Sequence, residues 1–249
     1  MLLIFSDLDA TLLDHETYSF KEALPALSLI KKRKIPLILS SSKTYQEMIV
    51  IRKELSNNDP FIYENGSGIY FEDKKFKMGT SHIKIKKILF ALKKEFSFKT
   101  FSDLGPSGIQ KETGLDINKS HRANQREYTE PIIWNDSIEK FNAFEQLLLQ
   151  NNLIFTRGGR FMTVSGKQSK GDALLWVKKR YAGITKEKIV TLALGDSEND
   201  INMLSCADKA VVVRHPKKSP LNINNHSSAF ITDAIGPKGW NETLINLLG

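Results

Sequence analysis

Two carboxylates near the start of the chain stand at a spacing that suits chemistry. Asp7 and Asp9 directly follow the apolar run Leu2 to Phe5, at positions i and i+2. In extended backbone this spacing directs both side chains to the same side, toward one reaction centre. Taken alone, the pair is explained equally well by a solvated, aspartate-rich turn.

Two further polar segments follow apolar runs later in the chain. The segment Ser40 to Thr44 carries hydroxyls and backbone amides that could hold a phosphate at a helix start. The segment Gly195 to Asp200 carries carboxylates that could complete an oxygen-rich site for Mg²⁺, a hard cation. An ordinary helix cap is the competing interpretation of each segment. Because three such segments are hard to explain as coincident caps, we predict one shared site.

The elements that must position these groups alternate between strand and helix at both ends of the chain. Apolar runs predict buried strands at 2–5, 35–39, 61–63, 189–194 and 210–213, and helices at 20–34, 43–55, 170–181 and 200–206. This alternation predicts an α/β fold with a Rossmann-like parallel sheet and helices on both faces. In such a sheet, ligands bind beyond the carboxyl ends of the strands, where all three polar segments fall.

The middle of the chain has a different pattern, which predicts an inserted α+β domain. Helical stretches at 83–96 and 137–150 are mixed with strands at 126–134, 152–156 and 160–165, the last two forming a hairpin. The predicted division is a first core part at 1–82, an inserted cap domain at 83–166 and a second core part at 167–249.

The composition favours an enzyme over a nucleic-acid-binding or membrane protein. Of the 249 residues, 41% are hydrophobic and 26% are charged, as in ordinary globular domains. The formal net charge of +8 comes mainly from lysines spread over helix faces such as Ile83 to Phe96, without the basic, aromatic-rich stripe expected for nucleic-acid binding. The apolar start of the chain is too short for a signal peptide or a membrane span, so we expect a cytoplasmic protein.

The polar residues occur in the order of the four signatures of the haloacid dehalogenase-like superfamily, which the chain resembles. The matching residues are Asp7, Asp9 and Thr11, then Ser41, then Lys170, and finally Gly195, Asp196 and Asp200. Ala10 stands where the superfamily usually has glycine. The turn Glu64-Asn65-Gly66 is similar to the Asn-Gly turn of members whose cap is inserted between the second and third signatures, where the middle domain lies here.

The resemblance implies a magnesium-dependent phosphatase with Asp7 as the nucleophile and Asp9 as the general acid and base. The implied ligands of Mg²⁺ are Asp7, Asp9 through its main-chain carbonyl, and Asp196. The residues implied to orient these ligands are Thr11, Asn199 and Asp200. Lys170 and Ser41 would contact the phosphoryl oxygens, where negative charge must be stabilised.

Within the superfamily, several segments are similar to the mannosyl-3-phosphoglycerate phosphatases. They are Ser41 to Thr44, Arg126 to Ile132, Gly158 to Phe161 and Gly195 to Asp200. This likeness implies hydrolysis of mannosyl-3-phosphoglycerate, a phosphorylated sugar acid, to mannosylglycerate and phosphate. The substrate-binding candidates are Arg126, Glu130, Arg160, Ser42, Lys43 and Asn65. An arginine suits this substrate because its guanidinium binds carboxylate or phosphate through two parallel hydrogen bonds.

Other interpretations stay open at this point. A phosphatase for glucosyl-3-phosphoglycerate or sucrose 6-phosphate, or a phosphomutase, would carry the same core signatures. A basic nucleic-acid-binding module is the alternative from a different class of protein. The cap candidates are explained about equally well as surface residues, and the oligomeric state is left open.

Overall fold

Apolar runs that end in polar turns form the strands of one large sheet in the computed structural model, which describes residues 1–158, 161–223, 226 and 229–249. The first part of the chain forms β1 (Leu2–Ser6), α1 (Leu24–Lys32), β2 (Leu37–Ser40), α2 (Tyr45–Glu54), β3 (Phe61–Tyr63), β4 (Gly68–Phe71) and β5 (Lys74–Lys77). The middle forms α3 (His82–Leu92), β6 (Phe98–Thr100), α4 (Phe101–Thr113), α5 (Ile117–Asn124), β7 (Thr129–Trp134), α6 (Ile138–Gln150), β8 (Ile154–Gly158) and β9 (Phe161–Ser165). The last part forms α7 (Lys170–Thr185), β10 (Val190–Gly195), α8 (Ile201–Cys206), β11 (Lys209–Arg214), β12 (Ala229–Ile235) and α9 (Gly236–Leu248).

The large sheet is mostly parallel and has β1 near its centre. Its strand order is β12-β11-β10-β1-β2-β3-β4-β5. The strands from β12 to β3 pair in parallel, whereas β4 and β5 add an antiparallel hairpin at one side. The carboxyl ends of β1, β2, β10 and β11 therefore meet at one edge of the sheet. The predicted α/β fold with a parallel core sheet is confirmed.

Helices cover both faces of this sheet, which explains why its central strands carry apolar residues on both faces. Ile4 of β1 packs in the same cluster as Trp240 of α9 on one face. Leu3 and Phe5 point to the other face and pack in a cluster with Leu174 of α7. Full burial of each such side chain stabilises the fold by about 1.5–3 kcal/mol, so the centre of the sheet forms a rigid platform for the loops at its edge.

A second, antiparallel sheet lies in the middle of the chain and has its own core. Its order is β6-β7-β9-β8. Apolar residues of α3 and α6, including Leu89 and Phe144, pack against Ile132 and Val164 of this sheet. We call this sheet with helices α3 to α6 the cap. The bounds of a cap domain at 83–166 stay a prediction.

Two features of the cap differ from the pattern predicted for it. The strand predicted at 126–134 begins only at Thr129, because the N–H groups of Glu127 and Tyr128 donate to the carboxylate of Glu64 in the core. Helices α4 and α5 also add to the two predicted helices of the middle domain. No helix in the described residues is long and apolar enough to cross a membrane.

Candidate active site

The loop after β1 places Asp7 at the carboxyl edge of the large sheet. The Asp7 N–H donates to the carbonyl of Leu194 at 2.9 Å, which continues the pairing of β1 with β10. Ala10 then adopts φ +58°, a left-handed conformation that favours glycine, the residue usual at this position in the superfamily. The Asp7 side chain is left only 8% exposed.

Lys170 reaches Asp7 from the first turn of α7. Ser169 caps this helix by accepting from the Asp172 N–H, and the Asp172 carboxylate accepts from the Ser169 N–H in return. The Lys170 side chain is completely buried, with Nζ 2.5 Å from Asp7 Oδ1 and 2.7 Å from Asp200 Oδ1. A lysine opening a helix is usually solvated, so this buried position sets Lys170 apart.

The loop after β10 brings two more carboxylates to the same point. Asp200 is fully buried, and its Oδ2 accepts from the N–H groups of Asp196 and Ser197, both at 3.1 Å. Gly195 permits this close turn, because a Cβ at this position would lie 2.6 Å from the Cβ of Asp200. Asp196 Oδ1 accepts from the Thr11 hydroxyl at 2.9 Å. Thr11 and Asp200 thus orient Asp196.

The charges in this cluster are unbalanced. Burial, followed by repulsion from Asp200, raises the pKa of Asp7 well above its ordinary value, although Lys170 opposes the shift. The same two causes raise the pKa of Asp196 to about 6. Burial opposes the charge on Lys170, yet attraction by Asp200 and Asp7 raises the pKa of this lysine. Three carboxylates face one ammonium, so a bound cation would neutralise the excess negative charge.

The three carboxylates fit a divalent metal ion. Asp7, Asp196 and Asp200 each offer an oxygen within 4.8 Å of the others. Such oxygen donors suit Mg²⁺, which is commonly held by one or two carboxylates together with water and phosphate. Both oxygens of Asp200 already accept hydrogen bonds, Oδ1 from Lys170 and Oδ2 from main-chain amides. Asp7 and Asp196 therefore suit the metal best, with Asp200 orienting them.

Asp9 forms an ion pair with Lys43 beside this cluster. The Lys43 ammonium lies 2.8 Å from Asp9 Oδ1 and 2.6 Å from Asp9 Oδ2. The ring of Tyr18 lies next to it, with its centroid 5.5 Å from Nζ. The side chains of Lys43 and Asp9 are 17% and 39% exposed, so solvent or a ligand can reach the pair. Lys43, the predicted substrate ligand, binds the predicted general acid in this structure.

Main-chain and amide hydrogen bonds join the loop after β2 to its neighbours. Ser41 is 1% exposed, its N–H donates to the carbonyl of Ile62 at 3.1 Å, and its hydroxyl accepts from the Lys43 N–H at 3.3 Å. Asn65 Oδ1 accepts from Asn199 Nδ2 at 3.1 Å. The predicted residues Ser41, Asn65 and Asn199 are therefore held at the ends of β2, β3 and β10.

Arg126 binds the protein main chain in this structure. Its guanidinium donates to the carbonyl oxygens of Ala123 and Ser42, both at 2.9 Å, and to the hydroxyl of Thr129 at 3.2 Å. Ser42 thus contributes a carbonyl that anchors the cap. The double hydrogen bond to a substrate carboxylate that the sequence suggests for Arg126 does not fit this arrangement, since both Nε and Nη1 already donate to protein oxygens.

Glu130 lies inside the cap and not at a substrate-facing surface. Its side chain is completely buried, and it accepts from the Ser102 N–H at 2.9 Å and the Ser102 hydroxyl at 2.7 Å, beside His82. Both carboxylate oxygens are engaged within the cap, so nothing in this structure supports the predicted substrate contact of Glu130, which stays a prediction. Arg160 lies outside the described residues.

His215 is a site residue that the sequence interpretation missed. It is 9% exposed, and its Nε2 lies 4.0 Å from Asp196 Oδ2. The Lys217 N–H donates to Nδ1 at 2.9 Å, which leaves Nε2 as the protonated nitrogen. Burial lowers the pKa of His215 to about 4. A signal was available, since His215 follows β11 at the same edge of the sheet as the other site residues.

Comparisons with known proteins agree with this arrangement. Residues 4–233 match the family of haloacid dehalogenase-like hydrolases. The chain belongs to this family. A glucosyl-3-phosphoglycerate/mannosyl-3-phosphoglycerate phosphatase of Persephonella marina is 35% identical, over 99% of this chain and 97% of that one. A protein of the same description from Methanococcoides burtonii is 36% identical, over 99% and 97% of the two chains.

A solved structure of similar fold extends the comparison. A protein of Thermoplasma acidophilum aligns over 100% of this chain and 99% of its own, with a TM-score of 0.74 and 18% identity. At this identity the likeness shows the fold alone. The chain is thus a haloacid dehalogenase-like hydrolase whose full-length relatives are described as phosphatases.

Proposed function

We propose that the protein hydrolyses mannosyl-3-phosphoglycerate to mannosylglycerate and phosphate through a phosphorylated Asp7, with the glucosyl analogue as the second substrate. The observation that carries this proposal is the position of Asp7, which is buried among Asp196, Asp200 and Lys170. Phosphoryl transfer depends on positioning and on charge stabilisation, and this cluster supplies both.

In the proposed reaction, Lys170 holds Oδ1 of Asp7 and the other oxygen, Oδ2, attacks phosphorus. The bond from Asp7 to phosphorus forms as the bond to the leaving sugar-acid oxygen breaks. Asp9, which takes up a proton from solvent once Lys43 has left it, gives that proton to the leaving oxygen. Water then attacks the phosphorylated Asp7, Asp9 takes up the proton, and phosphate leaves with the Asp7 carboxylate restored. Ser41 and Lys170 contact the phosphoryl oxygens in both steps.

The residues that would hold Mg²⁺ are Asp7, Asp196 and the main-chain carbonyl of Asp9. When bound, Mg²⁺ would offset the repulsion between the Asp7 carboxylate and the anionic phosphoryl group. Asp200 and Thr11 keep the Asp196 carboxylate in place, and Asn199 contacts Asn65 next to it. These contacts orient the ligand set from within the protein.

The identity of the substrate is supported by the full-length relatives and by Lys43. The relatives are described as acting on glucosyl- and mannosyl-3-phosphoglycerate. Their substrates carry a carboxylate near the phosphate. We propose that this carboxylate takes the Lys43 ammonium from Asp9, because both groups of this ion pair are partly exposed beside Asp7. The exchange would free Asp9 to act as the general acid that protonates the leaving oxygen.

A panel of phosphate esters tests the proposed function. We expect kcat/KM for mannosyl-3-phosphoglycerate and its glucosyl analogue to exceed that for sucrose 6-phosphate and simple hexose phosphates by at least about tenfold. Phosphate release should stop with EDTA and return with Mg²⁺. Equal rates on all esters would contradict the substrate class, and no release from any ester with Mg²⁺ would contradict the phosphatase.

Replacing Lys43 by methionine should weaken binding of substrates that carry a carboxylate. We expect kcat/KM for mannosyl-3-phosphoglycerate to fall about tenfold to a hundredfold, the value of one charge-assisted hydrogen bond. The rate on a simple hexose phosphate should change by less than about threefold. Lys140→Met, which removes an exposed ion pair with Asp136 in the cap, is the matched control. A similar loss on both esters would refute the carboxylate contact.

A further inference from the structure

A strained turn follows β3 where the core meets the cap. Glu64, Asn65 and Gly66 have φ values of +49°, +56° and +90°, so three consecutive residues adopt the left-handed region. Such backbone is unfavourable for residues other than glycine and persists only where surrounding contacts hold it. At Gly66 the chain passes so close to α7 that a Cβ would lie 2.0 Å from the carbonyl oxygen of Ser169. The turn therefore lies against the helix start that carries Lys170.

The main chain of this turn fixes the loop after β2. The Glu64 N–H donates to the carbonyl of Lys43 at 2.9 Å, and the Asn65 N–H donates to the carbonyl of Ser41 at 3.0 Å. Two successive amides thus bind the loop that carries the candidate phosphate contact. These bonds come from the backbone and are independent of the Glu64 side chain.

The Glu64 side chain points the other way along the junction and binds the segment that leads into β7. It is completely buried. Its Oε1 accepts from the Glu127 N–H at 2.7 Å, and its Oε2 accepts from the Tyr128 N–H at 2.9 Å and from the Thr129 hydroxyl at 2.6 Å. Three donors from consecutive residues satisfy one buried carboxylate, which is otherwise costly to bury. Glu64 therefore joins the start of β7 to the loop 41–44, which carries the candidate phosphate contact Ser41.

Two other contacts cross the same junction and end on the same loop. Arg126 donates to the carbonyl of Ser42 at 2.9 Å. The Thr44 hydroxyl donates to the carbonyl of Arg122 at 2.9 Å. The segment 122–129 is thus attached to the loop 41–44 both directly and through Glu64, whose contacts with Tyr128 and Thr129 are fully buried.

We propose that Glu64 is a positioning residue that holds the cap against the loop 41–44 of the candidate active site. This inference rests on the proposed function and adds to it that the cap covers the sugar-acid part of the substrate. Glu64 contacts none of the reacting groups and acts through residues 127–129. Losing the Glu64 carboxylate should loosen the cap. The loop 41–44, which is held by main-chain hydrogen bonds, should keep its conformation.

Glu64→Gln is the direct test because glutamine has nearly the same shape but one oxygen fewer. Either orientation of the amide turns its NH₂ group toward at least one of the three donors. We expect the amides of Glu127 and Tyr128 to exchange hydrogen at least about tenfold faster than in the wild type. We also expect KM for mannosyl-3-phosphoglycerate to rise at least about tenfold. The rate on 4-nitrophenyl phosphate, a small ester that does not need the cap, should stay within about threefold.

Glu127→Gln is the matched control at the same junction. Its side chain accepts from the Tyr63 hydroxyl and pairs with Lys75 at a partly exposed position, so we expect exchange rates and kinetics close to the wild type. Thr129→Val removes only one of the three donors and should give a smaller change in the same direction, which keeps the test open if Glu64→Gln fails to fold.

The outcomes separate the role of Glu64 from the proposed function. Proportional losses on the large and the small ester, with KM unchanged, would mean that Glu64 serves stability alone and would overturn the proposal. Exchange rates equal to those of Glu127→Gln would overturn it as well. If the wild type hydrolyses neither ester, the proposed function fails, and the hydrogen-exchange comparison still decides whether Glu64 holds the cap.

Discussion

Replacing Asp7 by asparagine should reduce kcat by at least about 10⁴-fold, because loss of the nucleophile removes the covalent path altogether. The fold should survive. Burial and repulsion from Asp200 raise the pKa of Asp7, so its charged form is unfavourable in the folded protein and a neutral amide should not lower stability at neutral pH. We therefore expect an unchanged or higher midpoint of thermal unfolding without Mg²⁺.

Asp116→Asn is the matched control for this variant. Asp116 is an exposed residue that caps α5 by accepting from the Lys119 N–H, and asparagine caps helices equally well. Its activity should equal that of the wild type. Activity of Asp7→Asn within about a hundredfold of the control would exclude Asp7 as the nucleophile.

Replacing Lys170 by methionine should have the largest effect on stability of the single changes considered. The buried ammonium pairs with Asp7 and Asp200, and its removal leaves two buried carboxylates uncompensated. Breaking a buried ion pair in this way costs about 3–5 kcal/mol. We expect this loss in urea unfolding measured with EDTA, together with a loss of turnover because the phosphoryl oxygens lose their cationic partner.

Two comparisons isolate the buried pairing. Lys178→Met on the same helix removes a partly exposed ion pair with Asp208 and should cost at most about 1 kcal/mol. Adding Asp200→Asn to Lys170→Met removes one of the uncompensated carboxylates and should restore about 1–3 kcal/mol of stability. If Asp200→Asn is as destabilising in this background as in the wild type, the two residues do not interact as the structure indicates.

Much of the core could be predicted because its central strands are mainly apolar and end at polar turns. The strand predicted at 2–5 is observed at Leu2–Ser6, and the helix predicted at 43–55 at Tyr45–Glu54, where Thr44 and Glu47 form a capping box. Burial on both faces gives these strands short, nearly continuous apolar runs, and their length between polar turns distinguishes them from helices. Since carboxyl ends of parallel strands meet at one edge, the gathering of Asp7 and Asp196 followed from the same pattern.

The cap was less predictable because its elements depend on partners far along the chain. Helix α4 contains Gly105, with φ +60° and ψ 178°, and Pro106, which interrupt the periodicity of a helix. The start of β7 is displaced by the carboxylate of Glu64, more than 60 residues away. The Gly105-Pro106 pair is visible in the sequence as a turn signal that hides the helix around it, whereas the displaced start of β7 leaves no local signal.

The substrate candidates show the same limit within the site. Arginine and glutamate are suitable ligands by type, yet Arg126 donates to main-chain oxygens and Glu130 is enclosed by Ser102 and His82. Side-chain type predicts what a residue can bind, but only its three-dimensional neighbours decide whether its donors and acceptors are free. Lys43 was predicted as a substrate ligand by type, whereas its pairing with Asp9 required the structure.

Mass spectrometry after rapid acid quench of a single turnover tests the central claim most directly. If Asp7 is the nucleophile, the peptide that contains it should carry the mass of one phosphoryl group at early times, and the adduct should disappear as phosphate is released. Asp7→Asn should show no adduct. Hydrolysis of the ester at wild-type rates with Asp7 unmodified throughout, or with the phosphoryl group on another residue, would contradict the account.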